Sequence, residues 1–307
     1  MSRPSGTAPL LVALLSFGIG VALAYWGGML EVGVAASSTG DADRPSYPLV
    51  VVLLGTLIGT AGPLVGIGWY LRRRVPMTGR LHRGQALWIG LAWGTVAYFL
   101  ASSLNGLAGM FVGGNVAPGF IEEFLKLLLP VILLLSSRSY RTPQLGVWLV
   151  FVSSAWFALL EGISYIVTAI DPVLNGGPVP SDEAFDTSMS VVVRVIAEAS
   201  HPLITVGAAI IIWLAATRFS AAKAVGIGIL AYLAAALIHG LNDAVISGPI
   251  REWSVPLSVA LLAVYVIAIL VFWFRPQVLR LQAYDVADDA PSARTAARSS
   301  TEEDRTS

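Results

Sequence analysis

Eight apolar runs, near 8–30, 47–71, 86–112, 119–136, 145–170, 189–217, 222–247 and 255–274, take up most of the chain, with short polar breaks between them. Crossing the ~30 Å hydrocarbon core of a bilayer takes about 20 predominantly apolar residues in a helix, and in hydrocarbon each backbone N–H and C=O must find its partner within the protein. The pattern therefore predicts an all-α fold, a polytopic transmembrane bundle of about eight helices. It excludes a soluble domain, and the balance of 56% hydrophobic to 12% charged residues points the same way. The chain contains no cysteine, so neither disulfides nor thiolate chemistry enter. A formal charge of zero says nothing about partners, and no feature suggests nucleic acid.

Lys and Arg sort to one side when eight helices alternate: Arg3; Arg72, Arg73, Arg74, Arg80 and Arg83; Arg138 and Arg141; Arg218 and Lys223; Arg275 and Arg280. The other side keeps Arg44 and Arg251 among acidic loop residues such as Asp171, Asp182 and Asp186. By the positive-inside rule both termini are expected in the cytoplasm, with loop 171–188 outside. Arg3 followed by an apolar run ending in Ala22-Leu23-Ala24 also reads as a cleavable signal, but the apolar stretch continues to Leu30 and is long enough to span. Residues 1–280 are expected to form one membrane domain, and the polar segment 281–307 a disordered cytoplasmic tail.

Seven charged residues belong to no loop: Glu122, Glu123, Lys126, Glu161, Arg194, Glu198 and Asp243, joined by His201 and His239. Ionisable groups are costly in a membrane and normally face the bundle interior, where they mark a functional site or pair structurally. At ~1.5 Å per residue, those on the fourth to seventh segments fall roughly 5–18 Å below the outer face. Independent structural pairs have no reason to agree on depth. Facing agrees too, because residues three or four apart share a helix face: Glu122 with Lys126, Glu161 with Tyr165, Arg194 with Glu198 and His201, His239 with Asn242 and Asp243. Five acids against two bases cannot stand unbalanced in such a place. Either carboxyls hold protons, or the histidines are cationic, or a metal ion sits there.

Four stretches carry a family resemblance. GFIEEFLKLLLP resembles the EExxK motif of the PrsW family of bacterial intramembrane proteases, which are related to CAAX prenyl endoproteases. FALLEGISY resembles that family's FAxxENxxY, RVIAEASHPLITVG its helix with Arg, His and Gly, and LIHGLNDA its HGxxD. Order and spacing agree over about 120–245, within a motif-bearing core of 119–247. One departure is visible, since Gly162 stands where the family more often has Asn.

The resemblance implies peptide-bond hydrolysis in a bacterial inner membrane, the substrate being a single-span membrane protein such as an anti-sigma factor. It implies that Glu122 and Glu123 activate water and that His201 and His239 complete the site. Lys126 and Arg194 are expected to be counter-ions, the latter to Glu198, with Glu161 as a ligand or supporting acid and Asn242 or Asp243 orienting His239. A set of His201, His239 and Glu122 matches catalytic zinc, whereas a glutamate pair can also work on water without metal. A transporter or proton relay would string carboxylates and histidines through helices as well, but it needs a path across both halves of the bilayer, and the inner half here lacks ionisable residues.

Overall fold

The computed structural model describes residues 15–20, 22–23, 26, 47–75, 80–111, 117–174, 193, 195–247 and 255–284. Among them no strand occurs. In chain order the helices are α1 (15–20), α2 (Tyr47–Arg74), α3 (Arg80–Phe111), α4 (Ala117–Ser136), α5 (Pro143–Leu174), α6 (Ser200–Arg218), α7 (Ala221–Ser247) and α8 (Val255–Ala268). Six helical spans are long and apolar enough to cross a membrane: those in α2, α3, α5 and α7, Val195–Arg218 around α6, and Ala260–Tyr284, which begins in α8 and runs beyond it. What sets α4 apart is not its length of 20 residues but the Glu122, Glu123 and Lys126 it carries.

The boundaries that differ most from the sequence expectation are the start of α3, at Arg80 rather than near 86, and the end of the eighth run. In the sixth apolar run, residues 195–198 lead through Ala199, whose φ of −65° and ψ of −21° are helical, into α6, so that Val195–Arg218 forms one span. Pro202, in the first turn of α6, has no N–H to offer the carbonyl of Glu198. The eighth run does not stop at 274. It passes through a π-helical stretch, Ile269–Phe274, and remains helical to Tyr284, so residues 281–284 are not the start of the tail. The reason is packing: Phe274, Val278 and Leu281 are fully buried, and the Tyr284 ring lies under the Arg218 guanidinium at 5.0 Å. Residues from 285 onward, loop 175–192 and most of the first run lie outside the described residues.

The basic helix ends gather at one end of the bundle. Arg74 at the end of α2 donates to Gln282 in the helical stretch 275–284 that follows α8, Trp148 near the start of α5 donates to Val75 O, and Trp213 near the end of α6 donates to Tyr140 O between α4 and α5. The opposite end receives the start of α4, the later half of α5, the start of α6 and the end of α7, which are the stretches that bear the intramembrane charges.

Helix α6 is buried on nearly every side and forms the centre, as expected of a helix apolar all round. The outer helices turn large apolar residues outward instead, among them Trp88 and Phe272, 70% and 80% exposed, which suits a lipid-facing surface. Near the charged end, α4 and α7 cross with their backbones in contact. A Cβ on Gly119 would lie 2.6 Å from both Ala236 O and Gly240 N, so no other residue at 119 lets the helices approach this closely. That crossing brings Glu122 and Glu123 beside His239.

Aromatic side chains then fix the register. Tyr232 donates to Phe120 O, Trp93 to Leu125 O, Trp273 to Ile204 O and Tyr265 to Ile238 O, at 2.6–3.0 Å. Each carbonyl belongs to a residue within a turn of Glu122, Lys126, His201 or His239, so each donor pins a stretch of backbone that bears the buried charges.

Candidate active site

Helical geometry accounts for the first layer of contacts. Lys126 is three residues after Glu123 and four after Glu122, and its Nζ reaches Glu123 Oε1 at 3.0 Å and Glu122 Oε2 at 3.3 Å. All three side chains are essentially fully buried. The remaining partners come from other helices. Asn105 of α3 donates to Glu122 Oε1 at 2.9 Å, Thr205 of α6 to Glu123 Oε2 at 2.8 Å, and His239 Nδ1 of α7 meets Glu123 Oε1 at 2.9 Å.

The two adjacent carboxylates are therefore differently placed. Both oxygens of Glu123 are engaged, by Lys126 and His239 on one side and Thr205 on the other. Glu122 Oε2 faces the space between the two histidine rings, 3.5 Å from His239 Nε2 and 3.9 Å from His201 Nδ1. The rings stand edge to face with centroids 4.6 Å apart.

Each histidine shows a definite side to each neighbour. A carboxylate can only accept, so His239 donates from Nδ1 to Glu123, and in the neutral ring the lone pair is then on Nε2. That Nε2 is buried with no hydrogen-bond partner among the described residues; Glu122 Oε2 and Asp243 Oδ2 both lie 3.5 Å away. His201 Nδ1 lies 2.7 Å from Lys126 Nζ, and its Nε2 faces Glu161 Oε2 of α5 and Glu198 Oε2, 3.3 Å from each. Gly162 makes that last approach possible. A Cβ there would meet Glu198 Cγ at 3.1 Å, so the space that the family's Asn side chain would need is taken by a carboxylate.

Glu122, Glu123, Lys126, Glu161, Glu198, His201 and His239 are thus brought into one buried cluster from α4, α5, α6 and α7, with Asp243 at its margin, its side chain 16% exposed. Asn242 is fully buried, and neither of its amide atoms makes a hydrogen bond among the described residues. Tyr165 is 40% exposed, while Arg194 lies outside the described residues. Sequence reasoning missed Asn105 and Thr205 because it took neutral polar residues only where they shared a face or a motif with an ionisable group it had already followed. Thr205 was within reach, four residues after His201 on the same stripe; Asn105 is signalled only by the polar SSLNG stretch late in the third run.

Two sets of ligand atoms lie within 4.8 Å of one another: Glu122, His201 and His239, and Glu161, Glu198 and His201. Tetrahedral zinc, bound at about 2.0–2.2 Å, holds its ligand atoms about 3.3–3.6 Å apart. By donor type either set could hold a metal ion, and the spacings of 3.5 Å between Glu122 and His239 and 3.3 Å from His201 Nε2 to each acid agree. Both sets, however, need His201. An ammonium has three donors and no acceptor, so Lys126 uses the lone pair of Nδ1, and a neutral ring then carries its proton on Nε2. As arranged, neither set fits a metal ion.

A family model described as PrsW family intramembrane metalloprotease matches residues 77–274, a stretch that contains the whole cluster. No curated protein and no solved structure matches the chain.

Proposed function

Because the chain belongs to the PrsW family of intramembrane metalloproteases, we propose that it cleaves membrane-anchored proteins with a water molecule activated by Glu122. The observation that carries this reading is the pair Glu122 Oε2 and His239 Nε2, buried and facing each other at 3.5 Å, with His239 held by Glu123 through its other nitrogen. A carboxylate and an imidazole lone pair so placed accept the two hydrogens of one water and leave its oxygen free to attack. As the oxygen bonds to the scissile carbonyl carbon, Glu122 takes one proton; it returns that proton to the departing amide nitrogen when the C–N bond breaks. The products are an amine and a carboxylic acid, whose remaining proton, the second hydrogen of the water, passes to His239 Nε2 to leave a carboxylate. The buried Asn242 amide, one helical turn from His239 and without a hydrogen bond among the described residues, is a donor available to the developing oxyanion. Glu123 acts by holding His239, and Asn105 by fixing the other oxygen of Glu122.

The positive-inside rule supports an orientation with the basic end of the bundle and both termini in the cytoplasm and the cluster in the outer half of the bilayer, and the family resemblance supports a bacterial inner membrane. Cleavage is then expected in the outer part of a substrate's transmembrane segment or just outside it. Single-span membrane proteins are the substrate class, anti-sigma factors among them by the family resemblance.

The test is Glu122→Gln, which keeps size and hydrogen bonding but removes basicity. In liposomes with a single-span substrate, cleavage should fall by at least ~10², the lower end of what general-base catalysis contributes, while thermal unfolding in detergent hardly changes. Undiminished cleavage would remove Glu122 as the base, and product termini confined to the cytoplasmic side would remove the assigned orientation.

A further inference from the structure

The geometry points to Lys126 as the resident cation of this centre, a residue that sets the tautomer of His201 and thereby keeps both sets of potential ligands closed to metal. The inference rests on the proposed site and goes beyond it, because it assigns to a lysine the place that a metal ion would be expected to fill.

Three observations carry it. First, Lys126 Nζ has three acceptors for its three N–H groups: Glu122 Oε2 at 3.3 Å, Glu123 Oε1 at 3.0 Å and His201 Nδ1 at 2.7 Å. The Phe157 ring covers the ammonium, with Nζ 4.3 Å from its centroid, and the side chain is fully buried. A lysine held this way is a fixed positive charge between a carboxylate and an imidazole, the same donor pair a divalent ion would bridge. Second, the shortest of the three contacts is the one to His201, and it decides the ring's chemistry. With Nδ1 accepting, Nε2 carries the hydrogen and turns it toward Glu161 Oε2 and Glu198 Oε2. His201 is then a donor to two buried acids, where a metal ligand would need a free lone pair. Third, His239 stands in the opposite state. Its Nδ1–H is spent on Glu123, and its Nε2 has no hydrogen bond among the described residues. With both rings neutral, only His239 has a free lone pair, and one imidazole with one carboxylate falls short of the three protein ligands of a catalytic zinc site.

Lys126 is accordingly a positioning residue. It orders Glu122 and Glu123 on its own helix, and across 75 residues of sequence it fixes which nitrogen of His201 is protonated. Removing it should do more than weaken the fold, for it should free Nδ1 of His201 beside Glu122 and so create a metal site.

Two measurements test this, and neither reads proteolysis. The chain has three histidines, so ¹⁵N-histidine labelling of the detergent-solubilised protein, with His82→Gln and His239→Gln variants for assignment, reports the His201 ring directly. The expected result is a neutral ring protonated at Nε2. A ring protonated at Nδ1, or at both nitrogens, overturns the inference. Zinc content is then measured after exposure to Zn²⁺ and dialysis. The unaltered chain should retain essentially none. Lys126→Met should retain about one ion per chain and lose it again when His201→Ala is added. Zinc retained by the unaltered chain and lost with His201→Ala, or no gain in Lys126→Met, counts against the resident cation. Should Lys126→Met fail to fold, Lys126→Gln takes its place, and the tautomer measured on the unaltered residue decides regardless. Cleavage by Glu122→Gln is scored separately, so the proteolytic reading and this one can fail independently.

Discussion

The two ends of the bundle treat charge in opposite ways. At one end Arg72, Arg73 and Arg74 close α2 and Arg218 closes α6, all exposed, with aromatic neighbours: the Arg73 guanidinium lies 4.3 Å over Trp69 and that of Arg218 5.0 Å over Tyr284. At the other end four carboxylates, one ammonium and two imidazoles are closed off from solvent and held in contacts of 2.7–3.9 Å. An exposed charge keeps its hydration, so each arginine stands nearly alone in energy. Buried charges have exchanged water for one another, and any one of them is supported by all the rest. The difference predicts near-additive, small effects at the first end and large, coupled effects at the second.

The strongest way to break that comparison is Glu123→Leu. It leaves Lys126 with one carboxylate fewer, His239 Nδ1–H without an acceptor and the Thr205 hydroxyl without its carboxylate. Removing one partner of a buried ion pair costs about 3–5 kcal/mol, and unfolding in detergent should show a loss of that order. Adding Lys126→Met should recover part of it, because the uncompensated charge goes too; a double variant that loses the sum of both single effects would mean the cluster is not coupled.

A smaller and sharper probe is Thr205→Val, which keeps shape and removes one donor. The hydroxyl lies 2.8 Å from Glu123 Oε2 and 2.9 Å from His201 O, and its single proton belongs to the carboxylate as the stronger acceptor. Hydrogen bonds to charged groups contribute about 1.5–3 kcal/mol, so a stability loss within that range is expected by the same measurement. An unchanged midpoint would show that the hydroxyl bonds the backbone instead. At the basic end, Arg218→Ala removes one exposed cation–π contact and should cost no more than about 0.5–1 kcal/mol. A loss as large as that of Glu123→Leu would erase the distinction between the two ends.

Much of the charged end was legible in the sequence, and particular residues show why. Glu122 with Lys126 and Glu198 with His201 lie on common helix faces because 3.6 residues per turn make them do so, whatever surrounds the helix. The common depth of the four stripes follows from rise per residue and segment length. Residues 281–284 were expected in the tail because a polar, Arg-containing stretch looks like an end, whereas burial of Val278 and Leu281 continues the helix to Tyr284. Asn105 escaped because a neutral amide in an apolar run carries no signal until a carboxylate is seen beside it.

Spanning segments, the gathering of basic residues at one end and the slab of buried charge were thus determined by the sequence alone, since each depends on local helix geometry and on the cost of charge in hydrocarbon. The tertiary structure decided the division of labour. Glu122 and Glu123 are neighbours, about 100° apart around one helix, and nothing in GFIEEFLKLLLP says which will face a histidine lone pair and which will be tied down. That choice follows from the close crossing of α4 and α7 at Gly119 and Gly240, which sets Glu123 against His239 Nδ1 and Glu122 against its Nε2. The tautomer of His201 is likewise a product of assembly: it hangs on a 2.7 Å contact with a lysine 75 residues away, and hydrogen-bond partners at such separations are set by how helices pack.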